Sequence, residues 1–391
     1  MPRPFSSFSQ RRAHLEVGNL LRSLTEVINK VDGGINLGQG VCDLDMPVPL
    51  QNGALDCLRG KGDRQTYTFY CGLPELRAAI ATKLSDFNGI PCKAENVGVT
   101  AGSSGAFFAA GMALFDPGDE VILFEPFYSY HYTTLKLMGV TPVCVALGVE
   151  DFSFDVEKMR AAVTPKTRAV VVNTPANPSG KVFSPEDLAA VSEALAGTDI
   201  LVLTDEVYEY MCFDGRRHVS PATVPGLEDR TLTIGGFSKT YSVTGWRIGY
   251  LAGRADVVDR IGRVFDQIDV CAARPMQRGV QRALEELPAL FYSDLQADYQ
   301  SKRDQFCAAL VEGGWQLCVP QGAYYVMADY RGVFGDLDPE SAVMKMIEEK
   351  RVNGVPGHLF FEDPEPVRQI RFHFAVPNAV LDDACGRLAK K

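Results

Sequence analysis

The sequence lacks several features that would point to other classes of protein. It has ten cysteines, but no two are spaced Cys-x-x-Cys, and its five histidines are scattered, so no metal site is expected. Its formal net charge is −10, which argues against binding to nucleic acid or to an anionic membrane. No apolar run reaches the length of a membrane span. These absences favour a cytoplasmic enzyme with reduced thiols that acts on small molecules.

The first fifteen residues are unlike the rest of the chain. They carry three arginines and several serines but no acidic residue. This composition weakly resembles a transit peptide. No cleavage signal is visible, so a plain N-terminal extension is the alternative interpretation.

The middle of the chain alternates short apolar strands with helices. Strands are predicted at 97–100, 121–124, 142–146, 169–172, 200–203 and 231–234. Nearly continuous apolar runs suit a parallel sheet that is buried on both faces. The alternation therefore predicts an α/β fold with a mostly parallel, doubly wound sheet.

The pattern changes after about residue 290, where a long helix (291–313) is followed by strand-like segments. At 391 residues the chain is too long for one core, so two domains are expected. We predict a large domain over 51–288. A smaller α+β domain would combine residues 1–50 with residues 289–391.

Polar side chains follow the predicted strands at the point where each strand ends. In an open parallel sheet this edge forms the ligand crevice. Any one of these residues alone would be an ordinary turn or capping residue. Together they indicate a site. They are Ser103, Ser104, Tyr128, Asn177, Asp205, Tyr208, Ser238 and Lys239.

Lys239 stands out because it lies between Ser238 and Arg247 in a glycine-rich segment. A lysine amine can form a Schiff base with an aldehyde, and a hydroxyl and a guanidinium can hold a phosphate. Pyridoxal 5′-phosphate (PLP), whose ring acts as an electron sink, needs these groups. From this segment alone, a surface lysine in a glycine-rich loop is an equally good interpretation.

The segment 367–375 alternates like a strand. Ile370 and Phe372 share the face that packs on a core, so Arg371 points the other way. The pattern alone leaves open whether Arg371 is a solvated strand residue or binds a ligand.

Seven segments of the chain resemble, in the same order, those of class I aminotransferases in the PLP-dependent fold type I superfamily. They are Asn-Leu-Gly-Gln-Gly (36–40), Tyr-Thr-x-x-x-Gly (67–72), Asn-Thr-Pro-x-Asn-Pro-x-Gly (173–180), Thr-Asp-Glu-Val-Tyr (204–208), Ser-Lys-Thr (238–240), Gly-Trp-Arg-x-Gly (245–249) and Ile-Arg-Phe (370–372). The chain looks closest to the subgroup with kynurenine, glutamine, aromatic and methionine transaminases. The resemblance implies transamination between an L-amino acid and a 2-oxo acid by a ping-pong mechanism through an aldimine and a ketimine.

The resemblance also implies a role for each residue of the cofactor site. Lys239 would be the Schiff-base lysine and the proton carrier, and Asp205 the partner of the pyridine nitrogen. Asn177 and Tyr208 would hydrogen-bond the ring hydroxyl, and Tyr128 would stack on the ring. The phosphate would be held by Ser103, Ser104, Ser238 and Arg247, together with Tyr67 from the partner subunit of a homodimer.

For the substrate, the resemblance implies that Arg371 binds the carboxylate through two hydrogen bonds, a role in which lysine is a poor substitute. Gly40 and Asn177 would assist it. The chain departs from the family at Val41-Cys42 and at Ser104, which leaves the substrate preference open.

Three alternative functions differ from transamination in cofactor or outcome. A carbon–sulfur β-lyase, or another α,β-elimination enzyme, would use the same cofactor residues, so the sequence does not separate it from a transaminase. A non-catalytic PLP-binding regulator is disfavoured, because 391 residues leave no room for an added DNA-binding module. An NAD-dependent oxidoreductase is disfavoured because the full dinucleotide fingerprint is missing.

Overall fold

The computed structural model describes residues 16–42, 45–60, 65–148, 150–363, 365 and 367–390. Across these ranges we find no helix that combines the length and the apolarity needed to span a bilayer. The segment that weakly resembles a transit peptide lies outside the described residues. The cytoplasmic location stays a prediction.

The α-helices are distributed over the described residues from 16 to 388. The α-helices are α1 (Glu16–Ile28), α2 (Val48–Leu58), α3 (Pro74–Asp86), α4 (Gly102–Leu114), α5 (Ser129–Met138), α6 (Val156–Ala162), α7 (Pro185–Ala194), α8 (Ala255–Asp269), α9 (Arg274–Glu286), α10 (Ala289–Glu312), α11 (Arg331–Phe334), α12 (Pro339–Lys350) and α13 (Asn378–Leu388). Ser184 and Asp187 form a reciprocal capping box at the beginning of α7, which satisfies backbone N–H groups of its first turn.

The strands occupy three sheets. They are β1 (Ile35–Asn36), β2 (Val97–Thr100), β3 (Glu120–Glu125), β4 (Thr141–Ala146), β5 (Thr167–Asn173), β6 (Leu201–Asp205), β7 (Thr231–Gly236), β8 (Gly249–Ala252), β9 (Gln316–Leu317), β10 (Tyr325–Asp329), β11 (Val352–Asn353), β12 (Val355–Pro356) and β13 (Gln369–His373).

The largest sheet has seven strands in the order β2-β8-β7-β6-β5-β3-β4. Strands β3 to β7 run parallel to one another. Strand β8 is antiparallel to both β7 and β2, so β2 runs in the same direction as the other five. All six predicted strands of the middle region are confirmed, and β8 is a strand that the sequence pattern did not predict.

Helices cover both faces of this sheet, as a doubly wound fold requires. On one face, Phe107 of α4, Leu135 of α5 and Phe265 of α8 pack in a common core. On the other, Met159 of α6 and Leu188 of α7 pack against the sheet. The buried strands are thus apolar on both sides, which explains their continuous apolar sequences.

A second, four-stranded sheet has the order β12-β13-β10-β9, and β1 pairs with β11 beside it. Tyr299 and Phe306 of α10 pack with Phe372 of β13 in the core of this region, which also includes Leu24 and Ile28 of α1. Helix α1 thus packs with the C-terminal part of the chain. The division into domains at residues 50 and 289 stays a prediction.

Candidate active site

The carboxyl ends of β2, β3, β5, β6 and β7 border one cavity of about 750 Å³. We call it the strand-end cavity. Ten of the residues predicted from the sequence line it, although they come from distant parts of the chain. They are Gly40, Ser103, Ser104, Tyr128, Asn177, Asp205, Tyr208, Lys239, Arg247 and Arg371.

Two predicted residues do not line the cavity. Ser238 is half-buried next to Lys239 but is not part of the cavity wall. Tyr67 is 79% exposed on the surface of the chain. A role for Tyr67 at a cofactor therefore requires a second subunit.

Asp205 is the buried carboxylate of the strand-end cavity. One of its oxygens lies 3.0 Å from Nε2 of His131, and the other accepts the backbone N–H of Val207 at 3.4 Å. These two contacts hold the carboxylate in place from both of its oxygens. His131 lies in the first turn of α5, where it packs edge-on against the ring of Tyr128 at 5.0 Å between ring centroids.

Lys239 projects into the cavity directly after β7. Its Nζ donates to the carbonyl of Gly40 at 3.0 Å and lies 5.5 Å above the ring of Tyr324. The Tyr324 hydroxyl donates to the same carbonyl at 3.1 Å. Gly40 has no room for a side chain, since a Cβ would lie 1.9 Å from the hydroxyl oxygen of Tyr325.

Two buried tyrosines complete this part of the wall. The hydroxyl of Tyr208 donates to that of Tyr325 at 3.3 Å. Burial and the neighbouring Tyr325 raise the pKa of Tyr208 well above its usual value. Burial likewise raises the pKa of Tyr128. Both phenols are therefore neutral hydrogen-bonding groups at any physiological pH.

One end of the cavity is built from the start of α4 and from Arg247. Gly102 opens the helix with a φ of 75°, and a Cβ on it would lie 2.5 Å from a terminal nitrogen of the Arg247 guanidinium. A Cβ on Gly249 would lie 2.5 Å from the backbone nitrogen of Ser103. The two glycines thus let a cation and a helix N-terminus meet, an arrangement that favours an anion.

Arg371 is 5% exposed and lies on β13. This strand belongs to the four-stranded sheet and not to the seven-stranded sheet whose strand ends border the cavity. The guanidinium of Arg371 donates to Oδ1 of Asn177 at 3.0 Å and to the carbonyl of Gly38 at 2.7 Å, and it lies 4.5 Å from the ring of Tyr325. Its Nε has no hydrogen-bond partner among the described residues. The alternative of a solvated strand arginine is wrong, because both faces of β13 are buried.

Comparison with known proteins decides the family. The family model for "Aminotransferase class I and II" matches residues 32–388. The chain belongs to the class I and II aminotransferases. Aspartate aminotransferase of Rhizobium meliloti is 34% identical over 367 residues, covering 91% of this chain and 88% of that protein. Kynurenine–oxoglutarate transaminase of Dictyostelium discoideum is 31% identical over 91% of this chain and 90% of its own length.

The fold agrees with this assignment. The solved structure of N-succinyldiaminopimelate aminotransferase from Mycobacterium tuberculosis superposes with a TM-score of 0.92 at 31% identity, covering 98% of this chain and 99% of that one. The α/β fold, the fold type I class and the likeness to the kynurenine-type subgroup are therefore confirmed. As an aminotransferase, the protein is an enzyme that uses PLP for transamination.

The strand-end cavity of this aminotransferase fits PLP. An anion site at Gly102 and Arg247 suits the phosphate, and the buried Asp205 suits a protonated ring nitrogen. A lysine amine and the unpartnered Nε of Arg371 face the same cavity. These donors and acceptors match the groups of the cofactor and of an amino acid.

Sequence reasoning missed three residues of this site: His131, Tyr324 and Tyr325. His131 had a usable signal, because it falls in the first turn after a predicted strand, as the other site residues do. Tyr324 and Tyr325 carried none, since they lie in an apolar run at the start of β10 and do not follow a strand of the large sheet.

Proposed function

We propose that the strand-end cavity transfers an amino group between an L-amino acid and a 2-oxo acid, with the residue roles that the family resemblance implied. The observation that carries this proposal is the convergence of Lys239, Asp205 and Arg371 on one cavity. These three side chains supply a nucleophilic amine, an anion and a carboxylate-binding cation.

PLP, when bound, supplies an aldehyde and a pyridinium ring that withdraws electrons from the substrate Cα. Asp205 would pair with the protonated ring nitrogen, and its contacts with His131 and with the N–H of Val207 orient the carboxylate. Asn177 and Tyr208 would donate hydrogen bonds to the ring hydroxyl, and Tyr128 would stack on the ring. Ser103 and Ser104 at the start of α4, together with Ser238 and Arg247, would hold the phosphate.

Lys239 binds the cofactor and then moves the proton that leaves the substrate Cα. Its Nζ donates to the Gly40 carbonyl at 3.0 Å and lies over the ring of Tyr324, and neither contact is with an anionic group. The amine can therefore leave these contacts when the substrate amine replaces it. A flexible four-carbon side chain that is half-buried allows this short movement.

Arg371 binds and orients the α-carboxylate of either substrate. Its Nε is available for one of the two parallel hydrogen bonds, and the Tyr325 ring and Asn177 keep the guanidinium plane in place. Gly40 allows Tyr325 to stay in this position, because a Cβ at residue 40 would collide with the Tyr325 hydroxyl. A bidentate contact fixes the Cα in front of Lys239.

The test compares wild type with Lys239→Ala and with a surface control, Lys345→Ala, whose side chain is 43% exposed on α12. Borohydride reduction followed by peptide mass spectrometry should find PLP attached at residue 239 in wild type and in the control only. Transamination should fall by about a thousandfold or more in Lys239→Ala. Unchanged turnover in that variant would overturn the proposal.

The substrate is identified by a panel of amino donors. The names of the relatives span aspartate and kynurenine as donors, so both belong on the panel, with 2-oxoglutarate as acceptor. Each donor is scored by the new amino acid formed. A cysteine conjugate is included, and release of pyruvate in place of a new amino acid would assign the chain to the β-lyases.

We further propose a homodimer in which Tyr67 reaches the phosphate of the partner subunit. Its 79% exposure leaves it free to do so. Lys239→Ala and Tyr67→Ala are each expected to lose activity. Mixed dimers should regain about a quarter of the wild-type activity, because half are hybrids and each hybrid has one intact site. No recovery on mixing would place Tyr67 in the site of its own subunit or outside it.

A further inference from the structure

The segment 205–209 separates two environments. Asp205 and Tyr208 line the strand-end cavity. The residue after each of them, Glu206 and Glu209, points to the opposite side, where Glu209 lines a second cavity. The two glutamates are 0% and 4% exposed. Two carboxylates removed from water in this way are costly unless other groups compensate them.

Three side chains donate hydrogen bonds to Glu206 and so offset the cost of burying its carboxylate. One oxygen accepts from Nε2 of His218 at 2.7 Å and from the amide of Asn88 at 3.4 Å, and the other accepts the hydroxyl of Ser220 at 2.5 Å. Burial alone would raise the pKa of Glu206. The electrostatic attraction of His218 and the hydrogen bonds from His218 and Ser220 outweigh burial and lower the pKa of Glu206, so this carboxylate is charged.

The cost of burying Glu209 is offset by one side chain from α3 and one from the loop that follows this helix. Glu209 forms an ion pair with Lys83 and accepts the Asn88 amide at 2.8 Å. Lys83 is 9% exposed, and its ammonium also donates to the hydroxyl of Tyr250 on β8 at 3.2 Å. We call Lys83, Asn88, Glu206, Glu209, His218 and Ser220 the buried ion network.

A cluster of two glutamates and a histidine could instead bind a metal ion. Ligand atoms of Glu206, Glu209 and His218 all lie within 4.8 Å of one another. However, the Lys83 ammonium and the Asn88 amide already donate to these carboxylates. The network contains its own cation, so the structure favours an ion-pair network over a metal site.

The buried ion network holds the backbone of segment 205–209 from the side that faces away from the strand-end cavity. It joins 205–209 to α3, to the loop at 218–220 and to β8, and the N–H of Glu206 also donates to the carbonyl of Ile234 on β7 at 2.9 Å. Side chains of Asp205 and Tyr208 leave this backbone toward the strand-end cavity. Any shift of the backbone therefore moves both groups relative to the cofactor.

We propose that Glu206 and Glu209 are positioning residues that, through the buried ion network, hold Asp205 and Tyr208 against the PLP ring. This inference rests on the cofactor roles proposed above for Asp205 and Tyr208. A mere stabilising role would lower the melting temperature alone. A positioning role also changes how tightly PLP binds and the pH at which its bound form changes colour.

The test uses Glu206→Gln, which keeps the size of the side chain and removes its charge. The matched control is Asp214→Asn, which breaks another ion pair, with the 3% exposed side chain of Arg303, away from the strand-end cavity. PLP affinity is measured by titrating the apoenzyme, and the absorbance of the holoenzyme is followed against pH. Thermal unfolding of both variants is recorded in parallel.

In Glu206→Gln we expect PLP binding about 10- to 100-fold weaker. The midpoint of the absorbance change should shift by about half a pH unit or more. Asp214→Asn should unfold at a lower temperature with both cofactor readouts unchanged. If Glu206→Gln lowers only the melting temperature, the positioning role is overturned.

Ser220→Ala removes one hydrogen bond to Glu206 and keeps the test decisive if Glu206→Gln does not fold. It should change both cofactor readouts in the same direction and by less, and unchanged readouts would overturn the inference. The two proposals fail separately. A wild-type enzyme that binds PLP without transaminating overturns only the proposed function, and one that does not bind PLP overturns both.

Discussion

Gly102 offers a direct test of the phosphate-binding role proposed for Arg247. In Gly102→Ala, the new Cβ would lie 2.5 Å from a terminal nitrogen of the Arg247 guanidinium and 2.9 Å from its Cζ. The guanidinium must therefore move away from the start of α4. A charge-assisted hydrogen bond lost to the phosphate costs about 1.5–3 kcal/mol, which predicts PLP binding about 10- to 100-fold weaker.

The substitution also has a cost that does not involve PLP. The φ of Gly102 is 75°, and an L-residue there costs about 1–2 kcal/mol of folding free energy. The two effects are separated by measuring PLP affinity by titration of the apoenzyme, and stability by denaturation of the apoenzyme. Only the change in PLP affinity reports on Arg247.

Gly105→Ala is the matched control, three residues further along the same helix. A Cβ there would lie 3.6 Å from its nearest neighbour, an ordinary contact. This variant should gain about 0.5–1 kcal/mol of stability and bind PLP as wild type does. Wild-type PLP affinity in Gly102→Ala would refute the argument that the guanidinium at this position contacts the phosphate.

Three further predictions concern Arg371, Gly40 and His373. Arg371→Lys should lower kcat/KM by about 10- to 100-fold, mainly through KM and for the amino acid and the oxo acid alike; steady-state kinetics showing an unchanged KM would contradict it. Gly40→Ala should lose about 1–3 kcal/mol of stability by overpacking, because a Cβ would lie 1.9 Å from the hydroxyl of the 3% exposed Tyr325; an unchanged denaturation midpoint would count against this contact. Burial, with the charges of Arg371 and Lys239, lowers the pKa of His373 to about 3. The unfolded chain then binds the extra proton below about pH 6.5, so stability should fall by about 1.4 kcal/mol per pH unit on acidification from that point toward pH 3. His373→Asn should flatten this part of the pH profile in denaturant titrations, and an equal slope in both proteins would exclude His373 as its source.

The order of strands and helices was largely predictable, because the signals for it are local. An apolar run such as 169–172 depends only on nearby residues, and the strand predicted there is confirmed as β5. Strand β8 was missed because Gly249–Ala252 is short and follows the glycine-rich segment without a turn signal of its own. It is a strand because β2 and β7 both pair with it.

The candidate site was predictable in part for the same reason. Residues that directly follow strands, such as Asp205 and Lys239, must lie at one edge of a parallel sheet. The surroundings of these residues were not predictable. The environment of Arg371, for example, depends on Gly38, which is 333 residues away in the chain.

By itself, the sequence determined the α/β class, the strand-end position of most site residues and, through seven ordered segments, the likeness to aminotransferases. Only the tertiary structure decided that His131 meets Asp205 across 74 residues, that Arg371 is buried, and that Lys83 and His218 hold the reverse side of the segment carrying Asp205 and Tyr208. The reason is physical. Periodicity and turn chemistry act over a few neighbouring residues, whereas partners of buried charges are chosen by how whole elements pack.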